Sequence, residues 1–148
     1  MRQSDLDAVT AVEERSLSPW SREQLAAELA NHLGWQLVAE DLERCRLVGY
    51  ICGRSLPPEA ELFKLAVLPE YRRQGIGSRL LDEAEKLLQE KNVQQCHLEL
   101  RQSNLAAARL YEKAGFGEAY RRKRYYADPQ EDAVVMVKIW EREFDEKH

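Results

Sequence analysis

The sequence has few cysteines, and they follow no metal-binding or disulfide pattern. Its three cysteines, Cys45, Cys52 and Cys96, form no C-x-x-C pair, and its three histidines share no ligand spacing with them. Each cysteine lies in an apolar or alternating stretch, so we expect three buried free thiols, which fits a reducing cytoplasm. The pattern disfavours a disulfide scaffold and a zinc site, and the sequence predicts no metal cofactor.

Long apolar runs and an excess of basic residues are also absent. No run approaches the roughly 18 apolar residues of a membrane-spanning helix, and residues 1–7 contain no apolar signal core. The 22 Lys and Arg against 26 Asp and Glu give a net charge of −4, whereas general nucleic-acid binders carry a large basic excess. We therefore expect a cytoplasmic protein that binds neither membranes nor nucleic acid.

The length and the charge distribution indicate one domain with two kinds of surface. With 148 residues, 44% of them hydrophobic and 32% charged, the chain suits one globular domain over residues 1–148, with a charged tail from about residue 141. Residues 1–61 hold eleven acids and six bases, a local charge of −5, whereas residues 64–124 hold thirteen bases and eight acids, a local charge of +5. This asymmetry predicts one surface that attracts a cation and another that attracts an anion.

Apolar periodicity predicts four helices and six strands, arranged as an α/β domain with a mixed sheet. Ser4 or Asp5 can cap the first helix, Ser21 with Gln24 forms a capping box for the second, and Gly115 suits the end of the fourth. The helices are expected over residues 4–15, 21–31, 78–91 and 104–114, and the strands over 36–39, 45–52, 61–68, 93–101, 117–126 and 133–140.

A glycine-containing loop connects the third predicted strand to the third predicted helix. Gly75 and Gly77 allow backbone amides to approach a ligand, and the N-terminus of the following helix favours a phosphate or pyrophosphate. The loop is not a Walker loop, because that motif needs G-K-[ST] after its glycines and this sequence has Gly77-Ser78-Arg79. A Rossmann fingerprint is also excluded, because Leu80 occupies the position of its third glycine.

The remaining pattern, R-x-x-G-x-G at residues 72–77, resembles the pyrophosphate loop of the GCN5-related N-acetyltransferases. Two further segments are similar to motifs of that family: H-L-E-L-R-Q-S-N at 97–104 and A-R-L-Y-E-K-A-G-F at 108–116. The Pro19-Trp20 pair, and R-Y-Y at 124–126 followed by E-D-A at 131–133, resemble the RimI branch, whose members acetylate the N-terminal alanine of small-subunit ribosomal protein eighteen. The resemblance extends over residues 5–139.

The resemblance implies a fold, a co-substrate and a set of site residues. The family fold is a mixed, mostly antiparallel central sheet flanked by helices, and the co-substrate is acetyl-CoA. Glu99 matches the general base and Tyr111 the general acid, while Trp20 and Tyr125 are expected to bind the acceptor. The residues expected to contact acetyl-CoA are Leu65, Ala66, Val67, Arg73, Gln74, Gly75, Ile76, Gly77, Ser78 and Asn104.

Each of these side chains also has a purely structural interpretation. Glu99 lies on the polar face of an alternating strand, where it can accept a proton from an amine or pair with Arg101. Tyr111 can protonate a departing thiolate or fill the core. The aromatic residues Trp20 and Tyr125, with Tyr126 beside them, suit either the core or an acceptor groove.

The sequence thus predicts an acetyl-CoA-dependent N-acetyltransferase that acts on the N-terminal amine of a basic protein such as a ribosomal protein. Three alternatives stay open: a lysine acetyltransferase, a small-molecule amine acetyltransferase and a non-catalytic acetyl-CoA-binding module. The run at residues 121–124 suggests a solvated strand end or a cofactor-phosphate contact. Lys64 stands where relatives often carry a neutral residue, and Glu61 is the second candidate for the base.

Overall fold

The computed structural model describes residues 2–16, 19–127 and 129–140. The charged tail expected from about residue 141 lies outside the described residues. Six strands form one sheet in the order β1-β2-β3-β4-β6-β5. Their bounds are β1 Gly34–Asp41, β2 Arg46–Leu56, β3 Glu59–Val67, β4 Gln95–Arg101, β5 Gly117–Ala127 and β6 Gln130–Ile139. The six predicted strands are confirmed, and all but the fourth are somewhat longer than expected.

Four α-helices flank the sheet, at positions close to those predicted: α1 Leu6–Glu13, α2 Arg22–Ala30, α3 Ile76–Glu90 and α4 Leu105–Lys113. Short 3-10 turns cover Gln3–Asp5 and Pro69–Tyr71. The expected capping box of α2 is present, because the Ser21 side chain accepts from the Gln24 amide and Gln24 reaches back to Ser21. Asp5 occupies the N-cap of α1 but makes no side-chain cap bond there; it accepts instead from the amide of Arg2.

The sheet is mixed and mostly antiparallel, as expected, and the pairing of β3 with β4 is parallel. That parallel register runs only from Glu59 opposite Gln95 to Leu62 opposite Leu98. Beyond it, β3 continues beside β2 alone and β4 continues beside β6 alone. The two strands therefore diverge, and an opening forms between residues 63–67 and residues 99–101.

The core has one apolar layer on each face of the sheet. On one face α1 and α2 cover β2, where Val48 and Tyr50 are buried. On the other face α3 and α4 cover Ile51, Leu98 and their neighbours. Alternate residues of a strand point to opposite faces, so the side chains that follow and precede Leu98 on β4 share the face of α1 and α2.

Two of the three cysteines are buried, but the expectation for Cys45 is wrong. Cys45 lies in the tight turn between β1 and β2 with φ of 50° and is exposed, because this short turn has no second layer above it. Cys52 and Cys96 are buried, and burial raises the pKa of each thiol to about 12. No described helix is both long and apolar enough to cross a membrane.

Candidate active site

The opening between β3 and β4 exposes peptide groups of β3. The Leu68 amide donates to the Val48 carbonyl (2.8 Å), so these opposite residues form a hydrogen-bonded pair. Because such pairs alternate along antiparallel strands, the Ala66 peptide groups are directed at β2, whereas those of Leu65 and Val67 are directed into the opening. Within the described contacts, the Val67 carbonyl accepts from Arg72 Nε at 3.2 Å. The edge of β3 can therefore bind an extended ligand arm through its backbone.

The loop before α3 presents a row of backbone amides. Arg73 and Gly75 have positive φ values of 63° and 78°, and Gly75 is the N-cap of α3. The first helical hydrogen bond runs from the Arg79 amide to the Gly75 carbonyl (3.0 Å), so the amides of residues 76–78 have no partner within the helix. Free first-turn amides and the helix dipole bind phosphate groups. The loop, with the exposed Gln74, thus fits a pyrophosphate at one end of the opening.

Glu99 lies on β4, one residue beyond its last pair with β3, and its side chain is 21% exposed. It shares the face of α1 and α2, since the adjacent Leu98 and Leu100 are buried on the other side. Its Oε1 is 3.3 Å from Arg122 Nη2. Arg122 is thus a partner of Glu99 that the sequence interpretation, a pair with Arg101, did not name. The carboxylate is available at the opening while one oxygen is held by β5.

Arg101 pairs with Glu131, at 3.4 Å between Nη1 and Oε2. Glu131 also accepts from the Ser103 amide, and the Arg101 guanidinium lies 4.4 Å from the Tyr126 ring centroid. The hydrogen bonds from Ser103, and next Arg101, hold the pKa of Glu131 below its ordinary value. These contacts fix the β5–β6 hairpin to the end of β4.

Tyr111 lies on α4 and is only 6% exposed. Its ring packs edge-on against Phe116, with centroids 5.7 Å apart. Burial raises the pKa of the Tyr111 hydroxyl above its ordinary value, so the group stays protonated near neutral pH. The core interpretation therefore describes the ring, and the hydroxyl keeps the proton that a general acid needs.

Asn104 is the N-cap of α4, as expected for the residue before that helix. Its Oδ1 accepts from the Ala107 amide at 3.3 Å, and its own amide donates to the Arg101 carbonyl at 2.9 Å. Asn104 therefore stands at the end of β4, between Glu99 on the strand and Tyr111 on the helix.

The predicted acceptor aromatics lie on different elements. Trp20 is half-buried just before α2, and its ring centroid is 5.9 Å from that of Phe63 on β3. Tyr125 on β5 is exposed and lies edge-on to Tyr126 at 5.2 Å. The basic run of β5 is exposed as expected, and Arg122 is its member that reaches the site.

A buried carboxylate, Glu13, was missed by the sequence analysis. It is 0% exposed and lies near Trp20, whose amide donates to it. Glu13 follows Val9 by four positions, so it shares the buried face of α1, and this spacing was the available signal. Within the described ranges, no group of three or more His, Cys, Asp or Glu residues is arranged to hold a metal ion.

Comparison with known proteins agrees with this geometry. The sequence model of the acetyltransferase (GNAT) family matches residues 5–116. The chain is 36% identical over 138 residues to the ribosomal protein bS18-alanine N-acetyltransferase of Escherichia coli, with 90% of each chain covered. It is 37% identical over 138 residues to a putative enzyme of the same description from Bacillus subtilis, covering 92% of this chain and 90% of the relative.

Solved structures show the same likeness. The crystal structure of the ribosomal-protein-S18-alanine N-acetyltransferase from Escherichia coli superposes with a TM-score of 0.89 at 31% identity, covering 100% of this chain and 96% of that chain. The family model alone covers well over half of the sequence, and the sheet opening and the amide-rich loop lie within it. The chain therefore belongs to the acetyltransferase (GNAT) family.

Proposed function

We propose that this protein transfers the acetyl group of acetyl-CoA to a protein N-terminal amine, and that its acceptor is the N-terminal alanine of ribosomal protein bS18. The observation that supports this proposal best is the opening between β3 and β4, which has an amide-rich loop at one end and Glu99 on its open face. The relatives that match over nine-tenths of the chain act on that acceptor by their descriptions. Since that acceptor is a ribosomal protein, we place the reaction in the cytoplasm.

Acetyl-CoA supplies a thioester whose carbonyl carbon accepts the amine nitrogen. The amides of residues 73–78 would hold its pyrophosphate, and the peptide groups of Leu65 and Val67 would bind its pantetheine arm. Ala66 would contribute through its position between them, because its own peptide groups pair with β2. Asn104 would lie beside the thioester. This assignment uses backbone groups that the fold leaves directed at the opening.

Glu99 would act on the acceptor amine. An α-amino group has a pKa of about 8, so near neutral pH it is mostly protonated and must lose a proton before it attacks. A carboxylate at the opening can accept this proton directly or through a water molecule. The bond from nitrogen to the acetyl carbon then forms as the carbon–sulfur bond breaks.

Tyr111 would supply the proton that the departing thiolate requires. Because burial raises its pKa, the hydroxyl keeps its proton near neutral pH. Donation yields the free CoA thiol and leaves Tyr111 as a tyrosinate. The new amide nitrogen loses its second proton, which restores the Tyr111 hydroxyl and leaves the amide product neutral.

The acceptor would enter between Trp20 and Tyr125. Glu61 and Glu99 both carry negative charge on this face, where Glu61 lies 3.7 Å from His97. The acidic first third of the chain supports a basic acceptor peptide, which long-range attraction would bring to the site faster at low salt.

Mass spectrometry of a basic peptide that begins with alanine tests the proposal. We expect one acetyl group on the α-amine, with release of one CoA thiol per event. The same peptide with a blocked α-amine and a free lysine should stay unmodified. Acetylation of the blocked peptide would support a lysine acetyltransferase instead, and binding of acetyl-CoA without thiol release from any amine would support a non-catalytic module.

A peptide with neutral residues in place of its arginines tests the electrostatic attraction. It should have a lower kcat/KM than the basic peptide and a flatter salt dependence.

A further inference from the structure

The carboxylate of Glu13 connects four parts of the chain within the protein interior. Among the described residues it is the charged side chain that is fully buried, at 0% exposure. Its Oε1 accepts from Tyr50 Oη on β2 (2.9 Å) and from Ser16 Oγ after α1 (3.0 Å). Its Oε2 accepts from the Trp20 amide (2.7 Å) and lies 3.0 Å from Lys64 Nζ on β3. The end of α1, the start of α2 and two strands therefore meet at one group.

Lys64 extends this connection to the ring of Trp20. Its side chain is 17% exposed, and Nζ lies 5.2 Å from the Trp20 ring centroid. A cation at this distance over an indole face is attracted by the ring. Phe63 touches the same ring at 5.9 Å between centroids. Trp20 is thus held through its backbone by Glu13 and through its ring by two adjacent residues of β3.

This cluster stands at the start of the β3–β4 opening. The last paired residues of the two strands are Leu62 and Leu98. Phe63, which contacts Trp20, and Glu99 are the next residues along each strand, so they face each other across the start of the opening. The Trp20 ring therefore packs against the residue of β3 that faces Glu99 at the start of the opening.

The two charges need each other to remain buried. A buried carboxylate or ammonium that loses its partner keeps its desolvation penalty without the compensating attraction. Removing either charge should consequently displace the other group and the Trp20 segment that both of them contact. Neutral groups of similar shape at both positions avoid this penalty.

We propose that Glu13 and Lys64 are positioning residues that hold Trp20 as a wall of the acceptor site. The inference rests on the proposed function, because it assigns Trp20 to binding the acceptor peptide. It adds a specificity role for Lys64 and for Glu13 on α1 that acts through the position of Trp20.

A double-mutant cycle in the whole protein tests the pair. We expect Lys64→Met and Glu13→Gln each to raise the KM for a basic alanine-initiated peptide about tenfold, with a smaller change in kcat and an unchanged acetyl-CoA Kd. The combination Glu13→Gln with Lys64→Met should recover most of that loss. Lys138→Met is the matched control, because Lys138 is exposed to nearly the same extent as Lys64 and pairs with the partly buried Glu85 (2.8 Å) between β6 and α3. It should lower stability without changing the peptide KM.

A second measurement does not depend on activity. The Trp20 amide is protected by Glu13, so its hydrogen exchange should become at least about tenfold faster in Glu13→Ala, whereas exchange of Leu81 in α3 should not change. A peptide KM that follows thermal stability equally in the Lys64 and Lys138 variants would overturn the inference, as would unchanged Trp20 exchange. Absence of α-amine acetylation by the wild type would instead overturn the proposed function. The hydrogen-exchange result would then decide by itself whether Glu13 holds the Trp20 segment in place.

Discussion

Arg122 on β5 and Glu99 on β4 form an ion pair across the strand that separates them. Nη2 of Arg122 is 3.3 Å from Oε1 of Glu99, and β6 lies between their strands in the sheet. The guanidinium therefore holds one carboxylate oxygen from the side of the β5–β6 hairpin. The pair is partly exposed, so its contribution to stability is small.

Exchange of Glu99 for glutamine separates proton acceptance from ion pairing. We expect Glu99→Gln to lower kcat by about 10² to 10⁴, because an amide cannot accept the proton of the amine. Arg122→Gln removes the same ion pair and keeps the carboxylate, so its kcat should fall less than about tenfold. Steady-state thiol release at saturating peptide measures both variants.

Equal losses in the two variants would mean that Glu99 acts only through the ion pair. Near-normal turnover of Glu99→Gln would make Glu61, beside His97, the next residue to test.

Removal of the Tyr111 hydroxyl should affect turnover and spare the fold. Phenylalanine preserves the edge-on contact with Phe116, so we expect the free energy of unfolding to change by about 1 kcal/mol or less. The kcat of Tyr111→Phe should fall by about 10²-fold or more, because the thiolate loses its acid. Denaturant unfolding measures the free energy of unfolding of the variant, and thiol release measures its kcat. A kcat within a factor of about two of wild type would show that Tyr111 is not the general acid.

The backbone at Gly75 should matter for acetyl-CoA binding. Its φ of 78° is unfavourable for a residue with a Cβ, although a Cβ there would contact nothing within 4 Å. Gly75→Ala should therefore cost about 1 kcal/mol through backbone strain and disturb the amides that start α3, weakening acetyl-CoA binding. Gly117→Ala is the control, since a Cβ at that position also meets nothing and no positive φ is required. Calorimetry with CoA should show weaker binding for the first variant only.

The lowered pKa of Glu131 predicts how one contact responds to acid. A carboxyl whose folded pKa lies below its unfolded value stabilises the fold above the unfolded pKa and loses that effect as the pH falls through the folded pKa. Wild type should thus be more stable than Glu131→Gln at neutral pH, and the difference should shrink as the pH falls below about 4.3. Thermal unfolding at several pH values measures this difference. A constant difference would contradict it, and Glu112→Gln on the exposed side of α4 provides the reference.

Local patterns in the sequence predict most of the fold. The capping box at Ser21, the apolar stripe of α3 and the glycine after α4 each depend on neighbours within a few positions, and each is found as expected. Alternation along β4 likewise places Glu99 opposite the buried leucines. The glycine loop could be located because both its signals, a preceding strand and a following helix, are local.

Features that depend on partners far along the chain could not be predicted in the same way. The Glu99 partner is Arg122, twenty-three positions away, and only the strand order brings β5 within reach. Glu13 is buried because Tyr50 and Lys64 come from β2 and β3 to meet it. Cys45 is exposed because it lies in a turn. Its hydrophobic character and its apolar neighbours predict burial, and neither shows the geometry of that turn.

The short register between β3 and β4 is the link between two parts of the sheet, β1–β3 and β4–β6. Four residue pairs join β1–β3 to β4–β6 in that register, so separation of the two parts disturbs few strand hydrogen bonds. Amides at this junction should open at a lower free energy than those within either part. A ligand that lies in the opening and contacts both sides closes the junction, so its binding raises the melting temperature of the whole domain by linkage. The protein should accordingly be most rigid at the moment when both of its substrates are bound.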